Sequence, residues 1–317
     1  MAERSPSTPG SAGTAYHFLE IVPPGTRIDF VGLSKYGMIF SGLMVLAAVF
    51  LWFARGGPNY GIDFAGGTMA HLRFHESHTA ADVRQALAEG GYGDVQLQDL
   101  GGEGKEFLLR VAGSGSTEDR LAKDAIDILR NSMGAESFEV LRTEMVGPKV
   151  GKDLRRKAIL AVIASTIVMG VYVAFRFQPR FGVGAAVALV HDVAVTVGWL
   201  LLFNYEFDLS VVAALLTIVG FSVNDTVIIS DRVRENMRKM RRESLATIVN
   251  LSINETLSRT ILTTGTAIFV ILALYLLGGS VIHGFAFALL VGFVSGVYST
   301  VFVAAPWVLL FEGSRRK

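Results

Sequence analysis

The 317-residue chain contains no cysteine. That excludes a disulfide framework, a thiolate nucleophile and a cysteine-ligated metal. Charge is scarce as well: Asp, Glu, Lys and Arg together make up 18% of residues, against 51% hydrophobic. A net charge of +1 says little about partners, and no nucleic acid is expected among them. Catalytic signatures are missing in the same way. There is no metalloprotease, nucleophile-elbow or dinucleotide-binding pattern, and the sequence GPKVGKD at residues 147–153 lacks the phosphate-loop spacing. It also carries Asp153 where Ser or Thr would hold magnesium. No enzyme activity, metal or cofactor is expected. Residues 1–33 are polar and rich in Pro, Ser and Gly, so they read as a flexible cytoplasmic lead-in and not as a cleaved apolar signal.

What the chain has is long apolar runs. Six stand out, at residues 34–53, 158–175, 181–203, 209–229, 260–277 and 284–311. Each is long enough to cross about 30 Å of hydrocarbon as a helix. The expected fold is therefore a polytopic α-helical membrane protein with six transmembrane helices. Lys and Arg fix its orientation. The connections at 204–208 and 278–283 contain neither, whereas the opposite side carries Arg176, Arg180, seven Lys or Arg between Arg232 and Arg259, and the tail Arg315, Arg316, Lys317. Both termini, including the short tail at 312–317, are thus expected in the cytoplasm, in a cytoplasmic (inner) membrane.

Residues 54–157 are then an outer, periplasmic domain. Strands are expected at 68–74, 94–100, 106–112 and 138–146, with helices at 80–89 and 118–133. Thr79 is a natural N-cap for the first helix and Ser116 or Thr117 for the second. Val83 and Leu87 lie on one face of the first, and Leu121, Ile126 and Leu129 on one face of the second. The order β-α-β-β-α-β defines a ferredoxin-like α+β domain. His71, His75 and His78 are close in sequence but are separated by strand alternation and a turn, so no metal site is expected there.

Polar groups inside the spans carry the chemistry, because a charge at mid-bilayer costs about 3 kcal/mol and turns toward a bundle interior or wet cavity. Asp225 lies about 6 Å inside the fourth span, with Asn224 and Thr226 beside it and Thr217, Gly220 and Asn224 on one helical stripe. Arg259 opens the fifth span from the same side, and its stripe continues through Thr263 and Thr266. An Asp225–Arg259 pair is geometrically easy. Asp192 follows His191 about 15 Å into the third span, on a stripe with Gly184, Ala188 and Thr196. A carboxyl balanced between a neighbouring cation and desolvation can load and release a proton. Gly284, Ala288, Gly292, Gly296 and Thr300 give the sixth span a small-residue face.

Several of these stretches resemble the SecD/SecF family of RND-type transporters, on its SecF side. They are GIDFAGG (61–67), VGPKVGKDL (146–154), HDV (191–193), VNDTVIISDRVREN (223–236), TLSRT (256–260) and GFAFALLVGFVSGVYSTVF (284–302). His283 stands where the family often has Lys or Arg. The resemblance implies half of an RND-type bundle that works beside a SecD-like subunit. The partners it implies are the SecYEG translocon, YajC, preprotein substrates and protons. The implied work is proton-motive-force-driven preprotein translocation, as an accessory to the Sec translocon, with a scaffold role lacking proton coupling as the alternative. The family's working Asp and Arg fall on Asp225 and Arg259, with Asn224, Thr226, Asp192 and Thr263 in support. The small-residue face of the sixth span is a candidate for the SecD-like interface.

Overall fold

The computed structural model describes residues 27–92, 95–100, 103–111, 118–279 and 282–313. Six helices are long and apolar enough to cross a membrane. They are α1 (Phe30–Ala54), α5 (Pro148–Arg176), α6 (Pro179–Leu202), α7 (Leu209–Lys239), α8 (Leu245–Leu277) and a last span that opens with α9 (His283–Ser299). That span continues as a π-helical turn over Thr300–Ala304 and ends as α10 (Ala305–Gly313). Pro306 sits just past the π turn, and its missing N–H and ring are the kind of defect that local π geometry absorbs. Helices α6, α7 and α9 form the buried centre, while α1, α5 and α8 lie outside them with mostly exposed apolar surface.

Several helices run well beyond their apolar windows. α7 has 31 residues, about 46 Å of helix, against a hydrocarbon thickness of about 30 Å. Its final turns and the first turns of α8 are polar, so the stretch expected as a basic connection is almost entirely helical. Asn236 Nδ2 donates to Ser252 Oγ (3.0 Å) and Glu255 Oε2 (2.7 Å), and Arg232 Nε donates to Glu255 Oε2 (2.6 Å). Ser244 caps α8 by accepting from the Thr247 backbone N–H. The basic residues from Lys149 to Lys157 likewise belong to α5, not to a loop before it.

The domain between α1 and α5 has the expected topology. Strands β2 (Gly67–Phe74), β3 (Gln96–Asp99), β4 (Glu106–Val111) and β5 (Phe138–Val146) form an antiparallel sheet in the order β3-β4-β2-β5. Helices α3 (Ala80–Glu89) and α4 (Glu118–Met133) back it. Thr79 closes a reciprocal capping box with Asp82. The proposed caps Ser116 and Thr117 lie outside the described residues, as do residues 1–26. Leu72, Phe74, Val83, Leu87, Phe107, Leu109 and Leu129 are essentially fully buried and make the core. A bulge in β5 skips Leu141 between the pairs His71–Arg142 and Leu72–Val140.

A second small sheet joins this domain to the bundle. Parallel strands β1 (Asn59–Tyr60) and β6 (Glu206–Phe207) bring the exit of α1 to the α6–α7 turn. A one-turn helix α2 (Ile62–Ala65) follows, and it ends at Gly66 (φ 79°) and Gly67 (φ 125°), a backbone that only glycine adopts without strain. Asp63 Oδ2 accepts from the Leu209 N–H at the start of α7 (2.9 Å). Arg110 of β4 pairs with Glu206 of β6. The sheet domain is therefore tied through charge and backbone to the start of α7.

Candidate functional site

Asp192 is the most completely enclosed ionisable group of the described membrane core, with no exposed surface. Its stripe of Gly184, Ala188 and Thr196 is buried with it. Gly184 allows a close approach, since a Cβ there would meet the Ala304 carbonyl oxygen at 2.8 Å. Four donors converge on the carboxylate. Ser222 Oγ of α7 (2.7 Å) and Ser299 Oγ of α9 (2.8 Å) donate to Oδ2. Ser295 Oγ of α9 (2.8 Å) and His191 Nδ1 (3.1 Å) serve Oδ1. The His contact requires the proton on Nδ1. A carboxylate with this many donors has its lost hydration replaced by protein, which is the condition for keeping it in a dry core.

Asp225 is set differently. It is 1% exposed, faces α8, and accepts one long hydrogen bond at Oδ2 from Thr264 Oγ1 (3.5 Å). Among the described residues its Oδ1 and the hydroxyl of Thr260, one turn from Thr264, are both buried without a hydrogen-bond partner. Orphaned buried polar atoms are rare enough to mark a place where a structure does something other than pack.

The direct Asp225–Arg259 ion pair expected from sequence is not formed; among the described residues no ion pair joins them. The reason is rotational. Thr260 and Thr264 occupy the buried face of α8, whereas Arg259, Thr263 and Thr266 are exposed, and a step of one residue turns a helix by about 100°. Thr263 and Thr266 turn their hydroxyls back onto the Arg259 and Leu262 carbonyls (2.9 and 3.0 Å). Asn224 also departs from expectation. With Thr217 and Gly220 it lies on an exposed face of α7, although Thr226 is buried against Thr300 (Oγ1–Oγ1 3.2 Å).

The small-residue face of the last span is likewise not a free surface. Ala288, Gly292, Gly296 and Thr300 are buried, and Cβ atoms built on Gly292 and Gly296 would meet Ile218 (2.2 Å) and Ser222 (3.3 Å) of α7. The row thus brings α9 against α7 within the chain. It also sets Ser295 and Ser299, spaced by one turn, beside Asp192. Those serines, with Ser222, Thr260 and Thr264, are the site residues sequence reasoning passed over. Their signal was present in part, as hydroxyls at three- and four-residue spacings next to the glycine row and to Asp225. Below them, toward the end of the bundle that bears the termini, a partly open cavity of about 20 Å³ is lined by Thr226, Ser230 and Thr300 together with Phe181, Val233 and Val308.

The sequence and fold both have close counterparts. Residues 126–314 match the family model for the protein export membrane protein SecD/SecF, C-terminal, and residues 50–76 match the SecD/SecF GG motif. Translocase subunit SecF of Magnetococcus marinus is 43% identical over 303 residues, covering 94% of this chain and 97% of its own. SecF of Calditerrivibrio nitroreducens is 40% identical, with coverages of 95% and 99%. A crystal structure of SecDF, a translocon-associated membrane protein from Thermus thermophilus, superposes with a TM-score of 0.80 at 38% identity over 91% of this chain. This chain spans only 39% of that longer SecDF chain. A six-span bundle carrying a ferredoxin-like domain, with polar groups concentrated between three central helices, is the architecture of a translocase-type membrane subunit. The chain belongs to the SecD/SecF family and groups with the SecF protein translocase subunits.

Proposed function

We propose that this SecF-family chain couples the proton motive force to preprotein movement through the Sec translocon, acting with a SecD-like subunit. In this reading the termini are cytoplasmic, because the Lys- and Arg-rich connections lie at their end of the bundle. The ferredoxin-like domain faces the outside. Asp225 is the proton-coupling carboxyl, and Arg259 acts from the face of α8 next to it.

One observation carries the proposal. Asn224 and Thr217 on α7, with Arg259, Thr263 and Thr266 on α8, put polar side chains on the outer surface of membrane-spanning helices. Lipid is a poor neighbour for an exposed amide and guanidinium within a span. A second subunit covering these faces removes that cost and seals the helix faces next to the buried Asp225, which supports both the partner and a working role for the acid.

The test is preprotein export into sealed vesicles holding the complex, with and without a proton gradient. Asp225→Asn preserves shape and can still hydrogen-bond Thr264. If it removes the gradient-dependent part of export while the complex assembles, the coupling stands. Full retention of gradient dependence makes this chain a scaffold instead.

A further inference from the structure

We propose that Asp192 is a second proton-carrying carboxylate, and that Thr300, Thr226 and the cavity beside them form its hydroxyl-and-water route toward the end of the bundle that bears the termini. The inference rests on the proton-coupled reading above and adds to it a second station and a direction.

The argument begins with charge. Among the described residues the groups facing Asp192 are His191 on α6 itself and the three serine hydroxyls of α7 and α9. Asp225 is one turn beyond Ser222 but faces α8, and Tyr298 stacks on His191 (centroids 6.1 Å) while donating to the Gly37 carbonyl. Among the described residues no Lys or Arg reaches this carboxylate within ion-pair distance. A structural carboxylate in a membrane core is normally held by a cation. Here rotatable hydroxyls surround it, and a hydroxyl can donate to the ionised acid or accept from the protonated one. That cage tolerates both states. The Nε2 of His191 is buried and, among the described residues, without a partner, leaving a second position on the same pair where a proton can be held.

A route continues from the cage. Ser222 uses its hydroxyl on Asp192 and its carbonyl to accept from Thr226 Oγ1 (3.2 Å). Ser299 is followed directly by Thr300, whose hydroxyl lies 3.2 Å from that of Thr226 and at present donates to the Gly296 carbonyl (2.8 Å). Thr300 is also where the α-helix gives way to the π turn, the Ala305 N–H reaching back to its carbonyl. π turns recur at functional positions because they loosen side-chain placement without breaking a helix. Next comes the cavity, whose roughly 20 Å³ exceeds the 10–15 Å³ or so that one water needs, and whose Thr226, Ser230 and Thr300 hydroxyls meet the water's requirement for two to four polar partners.

Proton bookkeeping along this path closes. Asp192 gives up its proton and returns to the carboxylate. The Ser222 and Ser299 hydroxyls are not bonded to those of Thr226 and Thr300, so rotation of one of these side chains carries the proton across that gap. Beyond it each hydroxyl takes a proton on its lone pair as it passes its own forward, and the cavity water receives one and releases one. Only the two ends change charge. The apolar side chains of Phe181, Val233 and Val308 line the rest of this cavity, so water reaches the hydroxyls only past them.

The experiment uses the complete chain with its SecD-like partner in proteoliposomes, an entrapped pH dye and an imposed potential. Asp192→Asn and Thr300→Val are each expected to lower proton flux on the order of tenfold or more, with Thr300→Ser near wild type. A carboxylic-acid stretching band induced by the gradient and lost in Asp192→Asn is the readout that a purely structural aspartate would not give. Wild-type flux in Asp192→Asn overturns the inference, even if Asp225→Asn stops flux and leaves proton coupling intact. Unchanged flux in Asp225→Asn as well overturns the coupling reading itself. Should Asp192→Asn fail to assemble, the isosteric Thr300→Val and Thr226→Val decide, and wild-type flux in both overturns the route.

Discussion

Arg110→Ala tests the joint between the ferredoxin-like domain and the bundle. The Arg110 and Glu206 side chains are only 12% and 23% exposed. Burial raises the Glu206 carboxyl above its ordinary range; Arg110 opposes this, and Asp208 and Asp63 add to it. Removing one partner of a buried pair costs about 3–5 kcal/mol because the other charge is stranded. With nearly a quarter of Glu206 in water, about 2 kcal/mol is the reasonable figure. The sign of the pH dependence follows from the raised carboxyl. Its contribution to stability is complete below the unfolded-state value of about 4.3 and is lost as pH rises through the higher folded-state value. Deleting Arg110 moves that folded-state value further up. The penalty of Arg110→Ala should therefore be small near pH 5 and reach about 2 kcal/mol near pH 8. Glu206→Gln should cost under about 1 kcal/mol, and in its background Arg110→Ala should lose its pH dependence. Thermal unfolding of the whole chain in nanodiscs across that range reads all three. A penalty for Arg110→Ala that is the same at both ends of the range refutes the reasoning, since only an ionising Glu206 links the two.

Two glycines should part company. A Cβ on Gly182 would lie 2.4 Å from the Ala174 Cβ and 2.7 Å from its Cα, so Gly182→Leu should cost about 1–3 kcal/mol by forcing α5 off α6, seen as a lower unfolding temperature of the chain. Gly220 has nothing within 4 Å of its Cβ position; Gly220→Leu should leave that temperature unchanged yet abolish co-purification with the SecD-like partner. On the open face of the sheet, Arg73 and His71 hold the Glu106 carboxyl below its usual range (2.8 and 3.1 Å). That stabilisation is present above the unfolded-state value and lost as pH falls through the lowered one, so Glu106→Gln should cost about 0.5 kcal/mol at pH 7 and nothing near pH 2 in an acid titration.

The ferredoxin-like domain was legible almost to the residue. The bounds of α3, α4 and β5 match the sequence expectation because caps, alternation and amphipathic spacing are local signals, and the Thr79–Asp82 capping box fixes one end outright. The membrane helices were legible in number but not in length. An apolar window measures the thickness of lipid, whereas α7 and α8 continue into water on ion pairs and on the Asn236–Ser252–Glu255 contacts. The site was legible only as separate residues. Periodicity placed Asn224 on a stripe and Arg259 on another without saying which way either stripe turns. The ring of Ser222, Ser295 and Ser299 around Asp192 depends on the mutual rotation of three helices, which no single segment records. The joint at β1 and β6 was missed because two-residue strands leave no alternation to read.

Much of what this chain can do converges on α7. Three consecutive residues, Asn224, Asp225 and Thr226, are each turned about 100° from the last, and they address three different surroundings. Asn224 points out of the bundle, Asp225 toward α8, and Thr226 toward the last span. One turn earlier Ser222 holds Asp192 of α6, and the start of the same helix is bonded to Asp63 beside the ferredoxin-like domain. A rigid helix with these attachments cannot be displaced at one of them alone. A subunit that binds the Asn224 face, or a change in the charge of either carboxyl, shifts the others by moving the backbone they share. In this geometry the two buried carboxyls, the exposed Asn224 face and the ferredoxin-like domain are linked by a single element of about 46 Å.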